Sequence, residues 1–227
     1  MVESKLFSEF LSQEDIKAQG IVARVNPSLC NGCNLCVVTC PYEAISLDEK
    51  NGIAIVDSDE CTGCGVCAGT CRSAAVDLMG FTDQQMFSVV NNLDDNSARK
   101  ILIFLCNFCS QIGGELIAPS NSLVIKIPCS GRINPIFILK AIQKGWDGVI
   151  ISGCHHEECN YRTADDIARR RFSMFAEFLE FVGLESGRVK FIWVSDSQGE
   201  NVTEKLSEAV KSVNKLGPNV TYRKEGY

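Results

Sequence analysis

Basic residues, long hydrophobic runs and targeting signals are all scarce in this sequence. Its 227 residues include 22 Lys and Arg against 28 Asp and Glu, so the net charge at pH 7 is -6. A nucleic-acid-binding protein normally carries a basic patch, and this composition argues against that class. No apolar run approaches the roughly 20 residues of a membrane-spanning helix, and Met1–Lys5 lacks the pattern of a signal peptide. We therefore expect a cytoplasmic protein without a membrane span.

Sequence signatures of common enzymes are also missing. There is no G-x-G-x-x-G fingerprint for a dinucleotide. No nucleophile–base pair or substrate-binding constellation stands out, so we predict no catalytic residue. Cysteine, in contrast, is abundant, with 13 residues. In a reducing compartment, cysteines at ligand spacing indicate a metal site rather than disulfides.

Eight of the cysteines form a motif that occurs twice. The first run is Cys30-x-x-Cys33-x-x-Cys36-x-x-x-Cys40, and each of its cysteines recurs 31 residues later in the second run. This spacing is typical of bacterial ferredoxins with two [4Fe–4S] clusters, in which the fourth cysteine of each run binds the cluster of the other run. The predicted ligands are Cys30, Cys33, Cys36 and Cys71 for one cluster, and Cys61, Cys64, Cys67 and Cys40 for the other.

Zinc and disulfides are the competing interpretations of this motif. Zinc sites use Cys-x-x-Cys pairs, but a triple of cysteines followed by a fourth, twice over, is not a usual zinc arrangement. One position departs from the ferredoxin pattern, because Pro41 follows the first run whereas Arg72 follows the second. This departure weakens the pattern slightly and puts no ligand in doubt.

Composition divides the chain into four parts. Residues 1–20 read as an N-terminal arm, and residues 21–80 as an α+β ferredoxin domain of the bacterial type with short helices after Cys40 and Cys71. Residues 81–98 contain a possible helix capped by Thr82 and an Asn/Asp-rich linker. The remainder, residues 99–227, has a different character and forms a second domain.

The second domain alternates apolar runs with helical patterns. Strands that are apolar throughout and alternate with helices predict a parallel sheet covered on both faces, so we expect a doubly wound α/β domain with four strands. The predicted strands are 101–105, 123–127, 148–151 and 190–194, and the predicted helices are 135–143, 164–182 and 201–216. In the second of these helices, four phenylalanines at a spacing of three residues (Phe172, Phe175, Phe178 and Phe181) are interpreted as core, and the run Arg169–Arg171 as a solvated face.

The remaining five cysteines follow the first three of these strands. They are Cys106, Cys109, Cys129, Cys154 and Cys159. The carboxyl ends of parallel strands meet at one edge of the sheet, where open α/β sheets bind their ligands. We therefore predict that four of the five bind a [2Fe–2S] cluster, although the sequence does not indicate which one is left over.

Three other interpretations of these five cysteines stay open. They could be buried structural thiols, a zinc site, or a redox-active dithiol formed by Cys106 and Cys109. His155 and His156 adjoin Cys154 and could replace a thiolate as in Rieske centres. With five cysteines available, we interpret both as loop histidines.

Short motifs around these cysteines carry a family resemblance. They are Cys106-Asn107-Phe108-Cys109, Pro128-Cys129-Ser130-Gly131-Arg132, Gly153-Cys154-His155-His156, Cys159-Asn160-Tyr161 and Trp193-Val194-Ser195. Residues 99–217 resemble the delta subunit of methyl-viologen-reducing hydrogenase, a family with one [2Fe–2S] cluster. Residues 14–93 are similar to the C-terminal ferredoxin segment of the flavoprotein subunit of heterodisulfide reductase, including the stretch Phe81–Gln85 after the last cysteine.

This resemblance implies an electron-transfer subunit in anaerobic energy metabolism such as methanogenesis. The subunit would relay electrons between a hydrogenase or formate dehydrogenase module and a flavin-based electron-bifurcating complex of the heterodisulfide reductase type. The implied partners are a flavoprotein subunit like that of heterodisulfide reductase and a hydrogenase or formate dehydrogenase subunit. We expect no flavin in this chain, because the dinucleotide fingerprint is missing.

Two other functions remain compatible with the residues. The α/β domain could be a thiol–disulfide redox enzyme that uses Cys106 and Cys109 and receives electrons from the ferredoxin domain. Alternatively, the ferredoxin could carry a zinc-stabilised domain that only recruits partners. Metal identity and turnover of small disulfides separate these functions from the relay.

Overall fold

The computed structural model of the protein describes residues 13–93 and 100–219. Most of the predicted arm (residues 1–20) and the end of the predicted linker (residues 81–98) lie outside these ranges. Among the described residues, no helix combines the length and the hydrophobicity needed to cross a bilayer. The first described element is a short helix, α1 (Gln13–Ala18).

Two small antiparallel ladders form the ferredoxin domain. Strand β1 (Ala23–Val25) pairs with β4 (Val76–Leu78), so the two ends of the domain lie side by side. Strand β2 (Ile45–Asp48) pairs with β3 (Ile53–Val56). The tight turn between β2 and β3 contains Gly52 at φ 66°, a conformation that glycine adopts without strain. These four strands confirm the predicted ferredoxin architecture.

The two short helices of this domain lie before the fourth cysteine of each run. Helix α2 (Leu35–Val38) and helix α3 (Val66–Thr70) occupy the segment between the third and the fourth cysteine. The prediction of helices after Cys40 and Cys71 is therefore wrong. A separation of four residues is one helical turn, and the Cys71 amide accordingly donates to the Cys67 carbonyl at 3.0 Å.

A longer helix leaves the ferredoxin domain and packs on the second domain. Helix α4 (Asp83–Asn91) begins at Thr82, whose hydroxyl accepts from the Gln85 amide while the Gln85 side chain accepts from the Thr82 amide. At its other end, the Trp146 indole donates to the Val90 carbonyl at 2.8 Å. The predicted helix thus exists, and it covers part of the α/β domain rather than standing apart as a spacer.

Four parallel strands form the sheet of the second domain, which confirms the predicted fold class. They are β5 (Ile101–Cys106), β6 (Ser122–Ile127), β7 (Gly148–Cys154) and β8 (Val189–Val194). Their spatial order is β6-β5-β7-β8. Because β5 has its sequence neighbour β6 on one side and β7 on the other, the direction of winding reverses at β5. Ligand sites of open α/β sheets lie at the carboxyl end of such a reversal.

Three helices cover the two faces of this sheet. Helices α5 (Pro135–Gln143) and α6 (Ala164–Phe181) pack on one face and α7 (Val202–Asn214) on the other. The faces alternate along β5, because Leu102 and Phe104 point toward α5 and α6 whereas the odd-numbered residues point toward α7. The core on the α5 and α6 face is continuous with the core of the ferredoxin domain.

The phenylalanines of α6 are only half in the core. Phe172 and Phe175 are buried, but Phe178 is 45 % exposed and Phe181 is 89 % exposed. A step of three residues falls about 60° short of a full helical turn. Three such steps therefore carry the side chain to the opposite face, and the core interpretation is wrong for Phe178 and Phe181.

Candidate iron–sulfur sites

The first site consists of Cys30, Cys33, Cys36 and Cys71. These four cysteines line one cavity of about 300 Å³. The fourth cysteine of the second run thus lies with the first three of the first run, as the ferredoxin pattern requires. Burial raises the pKa of the Cys36 thiol, and the nearby Cys71 and Cys30 raise it further. Cys33 is exposed, so this site reaches the protein surface.

Backbone amides point at the sulfur atoms of the first site. The Ala54 amide donates to Cys30 Sγ at 3.4 Å, and the Ala75 amide donates to Cys71 Sγ at 3.2 Å. Gly32 has φ 66° and packs against the Gly52 carbonyl so closely that a Cβ there would collide with it. Amide donors to thiolate sulfur are a means by which proteins set the potential of iron–sulfur clusters, and this site is built to provide them.

The second site consists of Cys40, Cys61, Cys64 and Cys67. Cys61, Cys64 and Cys67 are at most 9 % exposed, and the Ala23 amide donates to Cys61 Sγ at 3.5 Å. Burial raises the pKa of Cys64 to about 12, and Cys40 and Cys61 raise it further. A sulfur with this pKa keeps its proton at neutral pH until a metal ion takes the place of the proton. Four sulfurs that converge in this way fit a metal cluster.

The third site lies at the carboxyl edge of the sheet, at the reversal of winding. Cys106 ends β5, Cys109 follows in a 3-10 turn (Cys109–Gln111), and Cys154 ends β7. The Cys154 sulfur is 3.8 Å from that of Cys106 and 3.3 Å from that of Cys109. The three sulfur atoms all lie within 4.8 Å of one another, so three residues from two strands already form a compact thiol group.

Cys129 and Cys159 complete the third site. The thiols of Cys129 and Cys154 hydrogen-bond the Cys159 sulfur and lower the pKa of Cys159. Each sulfur also accepts a backbone amide, from Gly131 to Cys129 and from Tyr161 to Cys159, both at 3.4 Å. The structure thus brings all five predicted cysteines into one contiguous group.

Helix α6 holds the third site in place through Arg169. The Arg169 guanidinium donates to the Cys154 carbonyl at 2.8 Å and lies over the Trp193 ring at 4.0 Å from its centroid. The two loop histidines lie nearby without joining the thiols: His156 Nδ1 is 2.8 Å from Asp166 Oδ1, and His155 Nδ1 is 3.3 Å from the His156 carbonyl oxygen.

The second and third sites face each other across the boundary between the domains. Charge on Cys64 contributes to the raised pKa of Cys129, and charge on Cys159 contributes to that of Cys64. The loop after Cys40 also bonds the loop after Cys159 directly. Arg162 donates to the Pro41 carbonyl at 2.9 Å, and the Tyr42 hydroxyl donates to the Asn160 carbonyl at 3.4 Å.

Two buried arginines reinforce this boundary. Arg171 of α6 donates to the carbonyls of Gly131 and Ile133 at 2.8 and 3.0 Å and reaches the Thr70 hydroxyl at the end of α3. Arg132 is fully buried and donates to the Phe81 carbonyl at 2.8 Å. The interpretation of the arginine run as a solvated face therefore fails for Arg169 and Arg171. Neither residue differs in sequence from a surface arginine, so only the fold identifies them.

Comparisons with known proteins cover both parts of the chain. Residues 101–217 match the family described as methyl-viologen-reducing hydrogenase, delta subunit, and residues 29–75 match the 4Fe-4S dicluster domain. An iron-sulfur subunit of the F420-non-reducing hydrogenase of Archaeoglobus profundus is 36 % identical over 124 residues, which cover 52 % of this chain and 90 % of that protein.

Longer relatives align with almost the whole chain. One is from the ferredoxin:CoB-CoM heterodisulfide reductase of Methanosarcina mazei, and this polypeptide is 35 % identical over 218 residues, or 92 % of this chain and 27 % of that protein. Its counterpart in the ferredoxin/F(420)H(2)-dependent CoB-CoM heterodisulfide reductase of Methanosarcina acetivorans is 34 % identical with the same coverage. The chain thus spans about a quarter of the length of these two relatives.

Proposed function

Because the chain belongs to the delta-subunit family of methyl-viologen-reducing hydrogenase and carries a 4Fe–4S dicluster domain before it, we propose that it relays electrons through three iron–sulfur clusters. The first and second sites would each hold a [4Fe–4S] cluster. The third site would hold a [2Fe–2S] cluster on Cys106, Cys109, Cys154 and either Cys129 or Cys159. When bound, each cluster supplies a one-electron carrier whose potential depends on its charge, hydrogen bonds and burial.

The observation that carries this proposal is the bonding between the second and third sites. Electron tunnelling falls steeply with distance, so a relay needs its carriers at a fixed separation. The loops that follow Cys40 and Cys159 are joined by the bonds from Arg162 and Tyr42, and Arg171 ties α3 to the turn after Cys129. These contacts give the two domains one relative position.

The chain's own residues would also determine where electrons enter and leave. Cys33 is exposed, so a partner can approach the first site closely. The second site and most of the third are buried, which keeps water away from them. By analogy with relatives named as subunits of heterodisulfide reductase and of hydrogenase, we propose such subunits, or a formate dehydrogenase subunit, as partners of a cytoplasmic, anaerobic protein.

Burial argues against the thiol–disulfide alternative. Cys106 is 1 % exposed and Cys109 is 0 % exposed, so a disulfide substrate has no route to either sulfur. A reactive thiol of a redox enzyme normally lies in a partly exposed position. Zinc remains the chemical competitor at the third site, because tetrahedral thiolates suit it as well as iron.

Metal and sulfide analysis of anaerobically purified protein tests the proposal. We expect about ten irons per chain with matching acid-labile sulfide and no zinc, from two four-iron clusters and one two-iron cluster. About eight irons with one zinc would retain the ferredoxin and end the relay role of the second domain. About eight irons, no zinc and titratable thiols would favour the dithiol instead.

A further inference from the structure

Tyr161 is the one buried tyrosine at the domain boundary whose hydroxyl has no partner among the described residues. The residue is 1 % exposed, and its hydroxyl makes no hydrogen bond within the part of the chain that the structure describes. A buried hydroxyl without a partner is costly, and native proteins rarely leave one unexplained. The position therefore calls for an acceptor that the protein chain itself does not supply.

The surroundings of Tyr161 contain sulfur rather than oxygen acceptors. Its amide donates to Cys159 Sγ at 3.4 Å, and its ring packs edge-on against Phe108, which lies between Cys106 and Cys109, with centroids 5.4 Å apart. Burial raises the pKa of Tyr161, and charges on Cys129, Cys64 and Cys106 raise it further. The hydroxyl therefore keeps its proton and faces anionic sulfur from both the second and the third site.

We propose that the Tyr161 hydroxyl donates a hydrogen bond to anionic sulfur of the third site, and thereby raises the reduction potential of that site relative to the second. The acceptor is either Cys129 Sγ or a bridging sulfide of the bound cluster. Tyr161 is in this sense a positioning residue for electron transfer. A hydrogen bond to sulfur stabilises the more negative, reduced form, which is how donors around iron–sulfur clusters raise their potential. This inference rests on the proposed function, because it needs a cluster at the third site.

Tyr42 provides a matched comparison on the other side of the boundary. It is also a tyrosine beside a cysteine loop, but its hydroxyl already donates to the Asn160 carbonyl at 3.4 Å, and Arg162 lies over its ring. Removal of the Tyr42 hydroxyl deletes a bond to carbonyl oxygen, whereas removal of the Tyr161 hydroxyl deletes a bond to sulfur. The same Tyr→Phe change thus has two different expected consequences.

Redox titration of Tyr161→Phe and Tyr42→Phe, followed by EPR, tests the proposal on iron-loaded protein. We expect Tyr161→Phe to lower the potential of the third site, with a change of about tenfold in the ratio of reduced to oxidised cluster, or about 59 mV for one electron. Tyr42→Phe should leave that potential unchanged. An unchanged potential in Tyr161→Phe, or an equal shift in both variants, would overturn the proposal.

A second measurement separates a hydrogen bond from a packing effect. In protein exchanged into D₂O, the reduced third site should show a deuteron coupling by pulsed EPR that disappears in Tyr161→Phe and persists in Tyr42→Phe. The thermal stability of loaded Tyr161→Phe provides a further readout. If the hydroxyl bonded nothing, its removal would raise the unfolding temperature, and a rise together with an unchanged deuteron signal would contradict the proposal.

Failure of this proposal and failure of the proposed function give different results. If metal analysis finds zinc or no metal at the third site, the relay itself is wrong. If the third site holds iron in the wild type and in both variants, but the potential does not respond to Tyr161→Phe, only the role of Tyr161 is wrong.

Discussion

A fully buried guanidinium joins the two domains at Arg132. It comes from the turn after Cys129 and is 2.6 Å from Asp83 and 3.4 Å from Asp77, both in the N-terminal half of the chain. The two carboxylates are 25 % and 38 % exposed, so water still solvates them. Loss of the arginine would leave them without their buried partner but not stranded in the core, and the cost should lie at the lower end for a broken buried pair.

We expect Arg132→Met to lower the free energy of unfolding by about 2–3 kcal/mol. The reason is that the substitution removes both the ion pairs and the bond to the Phe81 carbonyl. Thermal unfolding of iron-loaded protein under anaerobic conditions measures the effect. Arg72→Met is the matched control, since Arg72 is exposed and a surface change of this kind costs less than about 0.5 kcal/mol. Equal stability of both variants would show that the buried pair contributes nothing.

Single-residue substitution also identifies the extra cysteine of the third site. Cys106, Cys109 and Cys154 form the compact group, while Cys129 and Cys159 contact each other. We expect Cys106→Ser to lose about two irons per chain. Of Cys129→Ser and Cys159→Ser, one should lose the same amount and the other should retain full iron. Iron analysis with EPR checks this, and loss in both variants would mean that the spare cysteine is in the compact group.

The interface elements α3, α6 and the turn Ser130–Arg132 fit together without room for an extra atom. A Cβ at Gly69, inside α3, would collide with the Gly131 carbonyl oxygen and with Arg171. Alanine normally favours a helix over glycine by about 1 kcal/mol. Here the collision involves backbone, which cannot move aside as a flexible side chain can. The contact should therefore outweigh the helix preference.

We predict that Gly69→Ala destabilises the loaded protein by about 1–3 kcal/mol, the range for overpacked sites. It should also slow electron transfer between the second and third sites, because α3 must move away from the turn. Gly187→Ala is the control, since a Cβ there meets only the end of the Leu216 side chain. Stabilisation by Gly69→Ala, as helix preference alone would give, would contradict this account of the interface.

Local patterns predicted most of the elements and the convergence of the cysteines. The apolar runs became β5 to β8, and the predicted helix 135–143 is α5 with the same bounds. The five cysteines meet because a parallel sheet brings strand ends to one edge, a rule that needs no knowledge of strand order. The reversal of winding at β5 depends on long-range pairing, and no local pattern encodes it.

The roles of the interface side chains could not be predicted from the sequence. Arg171 follows two other arginines on a helix, and only the approach of α3 turns it into a buried donor. Tyr161 belongs to a recognisable motif, yet its unpartnered hydroxyl appears only when Cys64 of the other domain lies nearby. Interactions between domains depend on how the domains dock, which short-range patterns do not specify.

At the scale of the whole molecule, the two domains share one core and three sulfur sites lie in sequence along it. Residues of both domains belong to the same buried cluster, from Ile16 in α1 to Leu179 in α6. The first site opens to the surface at Cys33, and the third lies at the sheet edge beyond the second. This arrangement suits passage of electrons through the chain, with one exposed end for a partner.

The most direct test of the relay is the kinetics of electron redistribution after flash reduction. A sub-stoichiometric pulse of reductant is given to iron-loaded protein, and the signals of the [4Fe–4S] clusters and of the third site are followed with time. The account predicts redistribution between the two domains at a rate independent of protein concentration, slowed in Gly69→Ala. A rate proportional to concentration, or no redistribution, would mean that the third site is not connected to the ferredoxin domain within one chain.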